Sequence, residues 1–315
     1  FKGDKKYLQN LIKSNFSEEV YASNLKEIRA QVIQQGHLYS PKFIHNLNKF
    51  NERNSLKYSD ELSLYLEIIL STYGHSSTNL VGLKEVWSIE MAFPIINLIG
   101  EKANIIIVIR DPLDVLASSI SGSGNYSLLS LARQWRKQIV FYNLLKKKYP
   151  NQVDMINYED FCSKPINTLR SIIGKMVKEP TNYFNHLNLL DDNGESWTKN
   201  TSYKNINSSQ NIDENSIGKY KDILTNEEIE WMIYLTHMIS YKRYNRSKNI
   251  PKMPDNQFPK RNINKSNIAD WAKLDINFLE TKNLSNELNK EQERYDHMKF
   301  LFRNGFEENN LTIQI

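Results

Sequence analysis

Arg110 and Ser118, eight residues apart, are the pair in this sequence best suited to grip an anion. Arginine carries a permanent charge and a planar fork of donors that matches phosphate, and Ser118 adds a hydroxyl about two helical turns further on. A second pair, Lys84 and Glu85, sets a cation that can stabilise a departing oxygen beside a carboxylate that can take a proton from an incoming one. Tyr158 in Ile156-Asn-Tyr-Glu-Asp160, and Gly218 with Lys219 in Ser216-Ile-Gly-Lys219, add a phenol, a turn and another cation. Each has a plainer alternative. Arg110 could be a surface ion pair with Asp111 or Asp114, Lys84 and Glu85 an exposed pair, Tyr158 a half-buried strand aromatic, and Lys219 a solvated lysine.

The element that would position Arg110 is the run Ile105 to Ile109, five β-branched aliphatics in a row. Such a run without alternation predicts a strand covered on both faces, as in a parallel sheet. Arg110 and Asp111 then stand at its carboxyl end, Pro112 stops the ladder, and Asp114 to Ser121 starts a helix. Ligands of open α/β sheets bind outside the carboxyl ends of strands. Leu80 to Trp87 is expected to be a shorter strand ending near Lys84 and Glu85, and Met91 to Ile99 a helix leading into the Ile105 strand. Adjacent strand residues point to opposite faces, so Lys84 and Glu85 serve one site only where the strand has ended or twisted.

Downstream, Leu128 to Tyr149 reads as a long amphipathic helix with Leu131, Trp135, Ile139, Tyr142 and Leu145 inward, and Lys146 to Lys148 suit its carboxyl end. Val153 to Tyr158 is expected as a further strand, Pro165 opens another helix, and Thr225-Asn-Glu-Glu228 caps one running to Tyr241. Upstream of Gly74 the pattern is helical, with one segment from Pro41 and another from about Ser59 carrying Leu62, Leu66, Ile69, Leu70 and Tyr73 as its core face. The stretch from 247 to 267, with Pro251, Pro254, Pro259 and many Lys and Asn, reads as a linker. Residues 268 to 315 read as a helical tail, a dimerisation helix or a docked appendage.

At 315 residues with 40% apolar content, the chain can bury a sizeable core. The balance of 41 basic against 36 acidic residues gives +5, too mild to indicate nucleic acid and compatible with a small anionic ligand. Cys162 is the one cysteine, so no internal disulfide forms and a reducing compartment, the cytoplasm, is the default. The histidines show no metal-ligand spacing, and no apolar stretch is long enough to span a membrane.

These segments together resemble the sulfotransferases that use 3′-phosphoadenosine 5′-phosphosulfate. Ile107 to Ser118 is similar to that family's 3′-phosphate-binding segment, a hydrophobic strand, Arg-Asp-Pro, Asp-Val and a serine eight residues after the arginine. Val81-Gly-Leu-Lys-Glu-Val-Trp87 resembles its lysine-bearing strand, Ile156 to Asp160 its Tyr-Glu-Asp strand end, Trp197 with Asn200-Thr-Ser202 its Trp and Asn-Ser-Ser loop, and Ser216 to Lys219 its late return to the cofactor. The resemblance implies a P-loop-like α/β fold over residues 1–246, a parallel central sheet flanked by helices, with a C-terminal helical extension. It also implies in-line sulfonyl transfer to a hydroxyl or amine. Arg110, Ser118, Tyr158, Gly218 and Lys219 would hold the nucleotide, and Lys84 and Glu85 would serve the transfer. The family's Gly/Ser/Thr-rich 5′-phosphosulfate loop has no counterpart between Phe1 and Ile315, and the expectation is that it lies upstream of Phe1. The alternative function is a catalytically inactive nucleotide-binding or interaction module of the same fold.

Overall fold

A computed structural model of the chain describes residues 13–14, 29–30, 32–33, 41–49, 57–74, 80–84, 89–121, 126–176, 212, 214–237, 254–255 and 259. The chain divides into two compact units, Phe1–Ile105 with Asp192–Gly194, and Ile106–Asp191 with Glu195–Ile315. The boundary thus falls within the stretch 1–246 expected as one domain. The linker 247–267, apart from 254–255 and 259, and the tail 268–315 lie outside the described residues.

In the first unit, α1 (Pro41–Lys49) and α2 (Tyr58–Tyr73) pack through residues spaced three and four apart, which fall on one helix face. Ile44 and Leu47 of α1 close on Leu64 and Ile68 of α2, with Val32, Ile33, Phe43 and Tyr65 at the margin. The buried face of α2 is therefore Leu64 and Ile68; Leu62, Leu66 and Ile69 are half-buried, and Leu70 and Tyr73 are exposed. Asp60 Oδ2 accepts the Lys57 amide at 3.0 Å at the start of α2, and the Gly74 amide closes its end on Leu70 O at 2.8 Å. Arg29 and Glu61 form a buried two-pronged ion pair, Nε to Oε1 at 2.9 Å and Nη2 to Oε2 at 2.8 Å.

The expected strand over Leu80 to Trp87 is not found where it can be seen. Leu80–Lys84 have no regular secondary structure, and Leu80, Val81 and Leu83 are exposed; without a ladder or a packed face, apolar content alone does not make a strand. Glu85 to Ser88 lie outside the described residues. Helix α3 (Ala92–Ile99) follows a short 3₁₀ turn and buries Ala92, Phe93 and Ile96.

A two-stranded parallel sheet, β1 (Ile105–Ile109) and β2 (Val153–Asn157), makes the chain a mixed α/β protein, and all of it but Ile105 belongs to the second unit. Between the strands run α4 (Pro112–Ser121) and α5 (Leu128–Lys148). The β1 run is covered on one face only. Ile107 and Ile109 are buried while Ile106 and Val108, on the other side of the pleat, are 40% and 51% exposed. Ile109 packs with Trp135, Ile139 and Val140 of α5. Ser127 caps α5 by accepting the Ser130 amide at 3.1 Å. At the far end Lys146 Nζ donates to Pro150 O and Val153 O, each at 2.7 Å, and so ties the helix end to the start of β2.

Tyr158 does not end the strand as expected. It opens α6 (Tyr158–Ser163), whose first turn carries Glu159 and Asp160, acids that complement the positive helix start. Helix α7 (Pro165–Ile173) begins at its proline as predicted. After the turn at Ser216, α8 (Tyr220–Ile223) leads to α9 (Asn226–His237). The predicted capping box is present, with Thr225 N donating to Glu228 Oε2 at 2.9 Å and Glu228 N to Thr225 Oγ1 at 3.3 Å. Helix α9 buries Trp231, Met232 and Leu235 and packs on α4 and α5. Among the described residues no helix is long and apolar enough to cross a membrane.

Candidate anion-binding site

At the carboxyl end of β1 the chain turns directly into α4, so Arg110 leaves the sheet with its backbone fixed on both sides. Its carbonyl accepts the Trp135 indole N–H at 2.8 Å, which pins the strand end to α5. Asp111, beside it, is buried and spends its carboxylate on the start of α4, Oδ1 accepting the Leu113 amide at 2.9 Å. The Asp111 amide in turn donates to Glu159 Oε1 at 2.8 Å, joining the carboxyl end of β1 to the first turn of α6.

The side chain of Arg110 lies over the Tyr158 ring, with Cζ 4.6 Å from the ring centroid. Its Nη2 donates to Ser216 O at 2.6 Å. The Tyr158 hydroxyl and Ser216 Oγ share a hydrogen bond of 2.8 Å. Three segments distant in sequence, the ends of β1 and β2 and the turn before α8, thus meet around one guanidinium. Burial holds the Tyr158 phenol above its ordinary value, outweighing the downward pull of the Ser216 hydrogen bond and the Arg110 charge.

Neither plain ion-pair alternative for Arg110 is realised. Asp111 caps α4, and the buried Asp114 turns its carboxylate to the other side of the site, Oδ2 accepting the Gly218 amide at 2.7 Å and Oδ1 the Tyr220 amide at 3.1 Å. Among the described residues no carboxylate compensates Arg110, and its buried Nε–H meets no acceptor. A guanidinium stacked on an aromatic ring, with one donor on a carbonyl and others uncommitted, can bind an oxyanion without first breaking an ion pair.

Gly218 sits at φ +77°, in the left-handed region that favours glycine. A side chain there would meet nothing within 4 Å, so the backbone angle sets the preference and not crowding. Lys219 follows, exposed. Ser118 lies two turns along α4, half-buried, and its hydroxyl takes no part in the bonds joining Arg110, Tyr158 and Ser216. Lys84, in the first unit, is exposed and outside any strand, and Glu85 lies outside the described residues, as does Trp197. Trp135 is the core residue its spacing implied, with an indole hydrogen bond the spacing could not reveal. Cys162 is buried and takes part in no disulfide. Among the described residues no group of three His, Cys, Asp or Glu side chains is placed to hold a metal ion.

Sequence reading missed Ser216, Asp114 and Glu159 as members of this cluster, although all three lie in or beside motifs already singled out. An alkaline titration tests the packing around Tyr158. Because its folded pKa is raised, its contribution to stability is intact below the ordinary tyrosine value near ~10 and is lost as pH rises through the folded value. The phenolate absorbance of Tyr158→Phe is expected to lack one late-titrating group found in the wild type, and the variant's alkaline loss of stability should be shallower. Loss of a group that titrates at the ordinary tyrosine value, in place of a late one, would show Tyr158 to be solvated.

Comparison of the chain with family models, with curated proteins and with solved structures finds no match.

Proposed function

We propose that the chain is a sulfotransferase that moves the sulfonyl group of 3′-phosphoadenosine 5′-phosphosulfate to a hydroxyl or amine, and that the Arg110 cluster holds the 3′-phosphate of that nucleotide. The observation that carries the reading is the Arg110 guanidinium, stacked on Tyr158, bonded to the Ser216 turn and without a carboxylate partner among the described residues. It brings together residues from three of the segments that carry the sequence resemblance. A parallel pair of strands with the cluster beyond their carboxyl ends is also the arrangement in which open α/β sheets bind nucleotides. Lys219 and Ser118 are the further candidates for contact with phosphate, and the roles of Lys84 and Glu85 rest on the sequence resemblance alone.

In the reaction the acceptor oxygen or nitrogen forms a bond to sulfur as the bond from sulfur to the 5′-phosphate oxygen breaks. Adenosine 3′,5′-bisphosphate leaves, and the acceptor proton passes to a base, the role the resemblance gives to Glu85. Such a transfer draws its rate from positioning and from charge stabilisation on the departing phosphate.

Calorimetric titration tests the nucleotide assignment. Adenosine 3′,5′-bisphosphate is expected to bind at least about tenfold more tightly than adenosine 5′-monophosphate, since only the former offers a second phosphate to Arg110. Equal affinities would overturn the reading. A screen with labelled donor against carbohydrate, lipid, peptide and small-metabolite acceptors then identifies the acceptor class.

A further inference from the structure

We infer that Asp114 is a positioning residue for the site: a latch that fixes the Ser216–Tyr220 turn against α4 and so sets where Lys219 and Ser216 stand relative to Arg110. The inference rests on the reading of Arg110 and Lys219 as parts of one nucleotide site. Asp114 is 1% exposed, so its carboxylate is taken almost wholly out of water. A buried carboxylate is costly unless its oxygens are satisfied, and here the two oxygens are satisfied by the Gly218 and Tyr220 main-chain amides, at 2.7 and 3.1 Å.

That pattern has a consequence for the residue in the middle. With the amides on either side committed to Asp114, the Lys219 amide is left with no acceptor among the described residues and its side chain is exposed. The same turn is gripped a second time through Ser216 O, by Arg110. Arg110 and Asp114 are four residues apart on the strand-to-helix junction, so one short segment holds the turn from two points more than a hundred positions away in sequence. A leucine in place of Asp114 would fill the interior of α4 as well but would leave both amides buried without acceptors.

The charge of Asp114 gives the inference a sign. A carboxylate near a bound phosphate repels it, so if Asp114 acted on the site through its charge alone, Asp114→Asn would tighten nucleotide binding. A latch predicts the reverse. The asparagine keeps the size but can accept from only one of the two amides, so the turn loosens and binding of adenosine 3′,5′-bisphosphate weakens by about tenfold. Because the effect passes through the turn, Asp114→Asn should add little further loss on a Lys219→Ala background, whereas a generally destabilised fold would give independent, additive losses.

The test pairs two measurements on the full chain. Hydrogen exchange without nucleotide is expected to show the Gly218 and Tyr220 amides exchanging at least about tenfold faster in Asp114→Asn, with amides in the later turns of α4 unchanged. Calorimetry on wild type, Asp114→Asn, Lys219→Ala and the double variant gives the affinities. Unchanged exchange at Gly218 and Tyr220, tighter binding by Asp114→Asn, or additive losses in the double variant would each overturn the inference. A wild type that binds no adenosine 3′,5′-bisphosphate would instead sink the nucleotide reading, and the exchange result would still decide whether Asp114 holds the turn.

Discussion

Arg110→Ala is expected to weaken binding of adenosine 3′,5′-bisphosphate by about 100-fold, the ~3 kcal/mol at the upper end for hydrogen bonds to a charged group. The size follows from what the side chain is spared. It has no carboxylate partner to give up among the described residues, its ring contact with Tyr158 and bond to Ser216 O fix it in place, and its Nε–H already lies buried without an acceptor. The variant should stay folded, because the Trp135 bond is made to the main-chain carbonyl of residue 110 and survives truncation. Arg110→Lys should recover only part of the affinity, since an ammonium keeps the charge and loses the planar fork and the ring stacking. Calorimetry across a salt series is the measurement. The wild type should lose affinity with added salt more steeply than Arg110→Ala, and equal affinities for the two proteins would remove Arg110 from the site.

The strand Ile105–Ile109, the long helix Leu128–Lys148, the proline-opened helix at Pro165 and the Thr225/Glu228 cap were all legible in the sequence. Each is written in a local signal: a β-branched run, a helical period, a proline at a first turn, a reciprocal cap. What misled was local signal without its partner. Leu80 to Leu83 has strand-like composition, yet it is exposed and makes no ladder. Ile106 and Val108 belong to a run that reads as buried on both sides, but only the side facing Trp135 and Ile139 is covered. On α2 the apolar residues outnumber those the neighbouring helix can bury, and Ile44 and Leu47 select Leu64 and Ile68.

The site shows the same division. That Arg110 would leave a strand end was readable from Ile109-Arg110-Asp111-Pro112, and so was the choice between an ion pair and an open guanidinium, but not its outcome. The outcome depended on where Asp111 and Asp114 spend their carboxylates, one on the Leu113 amide and the other on a turn reached only through the tertiary fold. Tyr158 was singled out for its phenol, while the residue that meets that phenol, Ser216, becomes visible only once the end of β2 and the turn before α8 are side by side.

The largest expected loss of stability lies in the first unit, where sequence periodicity gave only core faces of helices. Glu61→Ala is expected to lower the unfolding free energy by about 3–5 kcal/mol, the usual penalty for removing one partner of a buried ion pair. Arg29 and Glu61 side chains are 9% and 5% exposed and meet through two bonds of 2.9 and 2.8 Å. Glu61 raises the Arg29 pKa through that hydrogen bond against the opposing effect of burial, and burial, with Glu61 adding to it, pushes the nearby Tyr65 phenol well above its ordinary value. Burial acts against the charged form of both groups, so truncating Glu61 takes two charge-assisted bonds from a guanidinium that has little water to replace them. The cost should therefore come mainly from the buried Arg29 charge, less well satisfied without Glu61, and not from the attraction lost. Replacing both partners with apolar residues of similar size, Arg29→Met with Glu61→Leu, is expected to recover most of the stability. Urea unfolding of the wild type, the single variant and the double variant measures all three. If the double variant is as unstable as Glu61→Ala, the pair contributes through its own attraction; if Glu61→Ala costs under about 1 kcal/mol, water reaches Arg29 as it would at a surface pair.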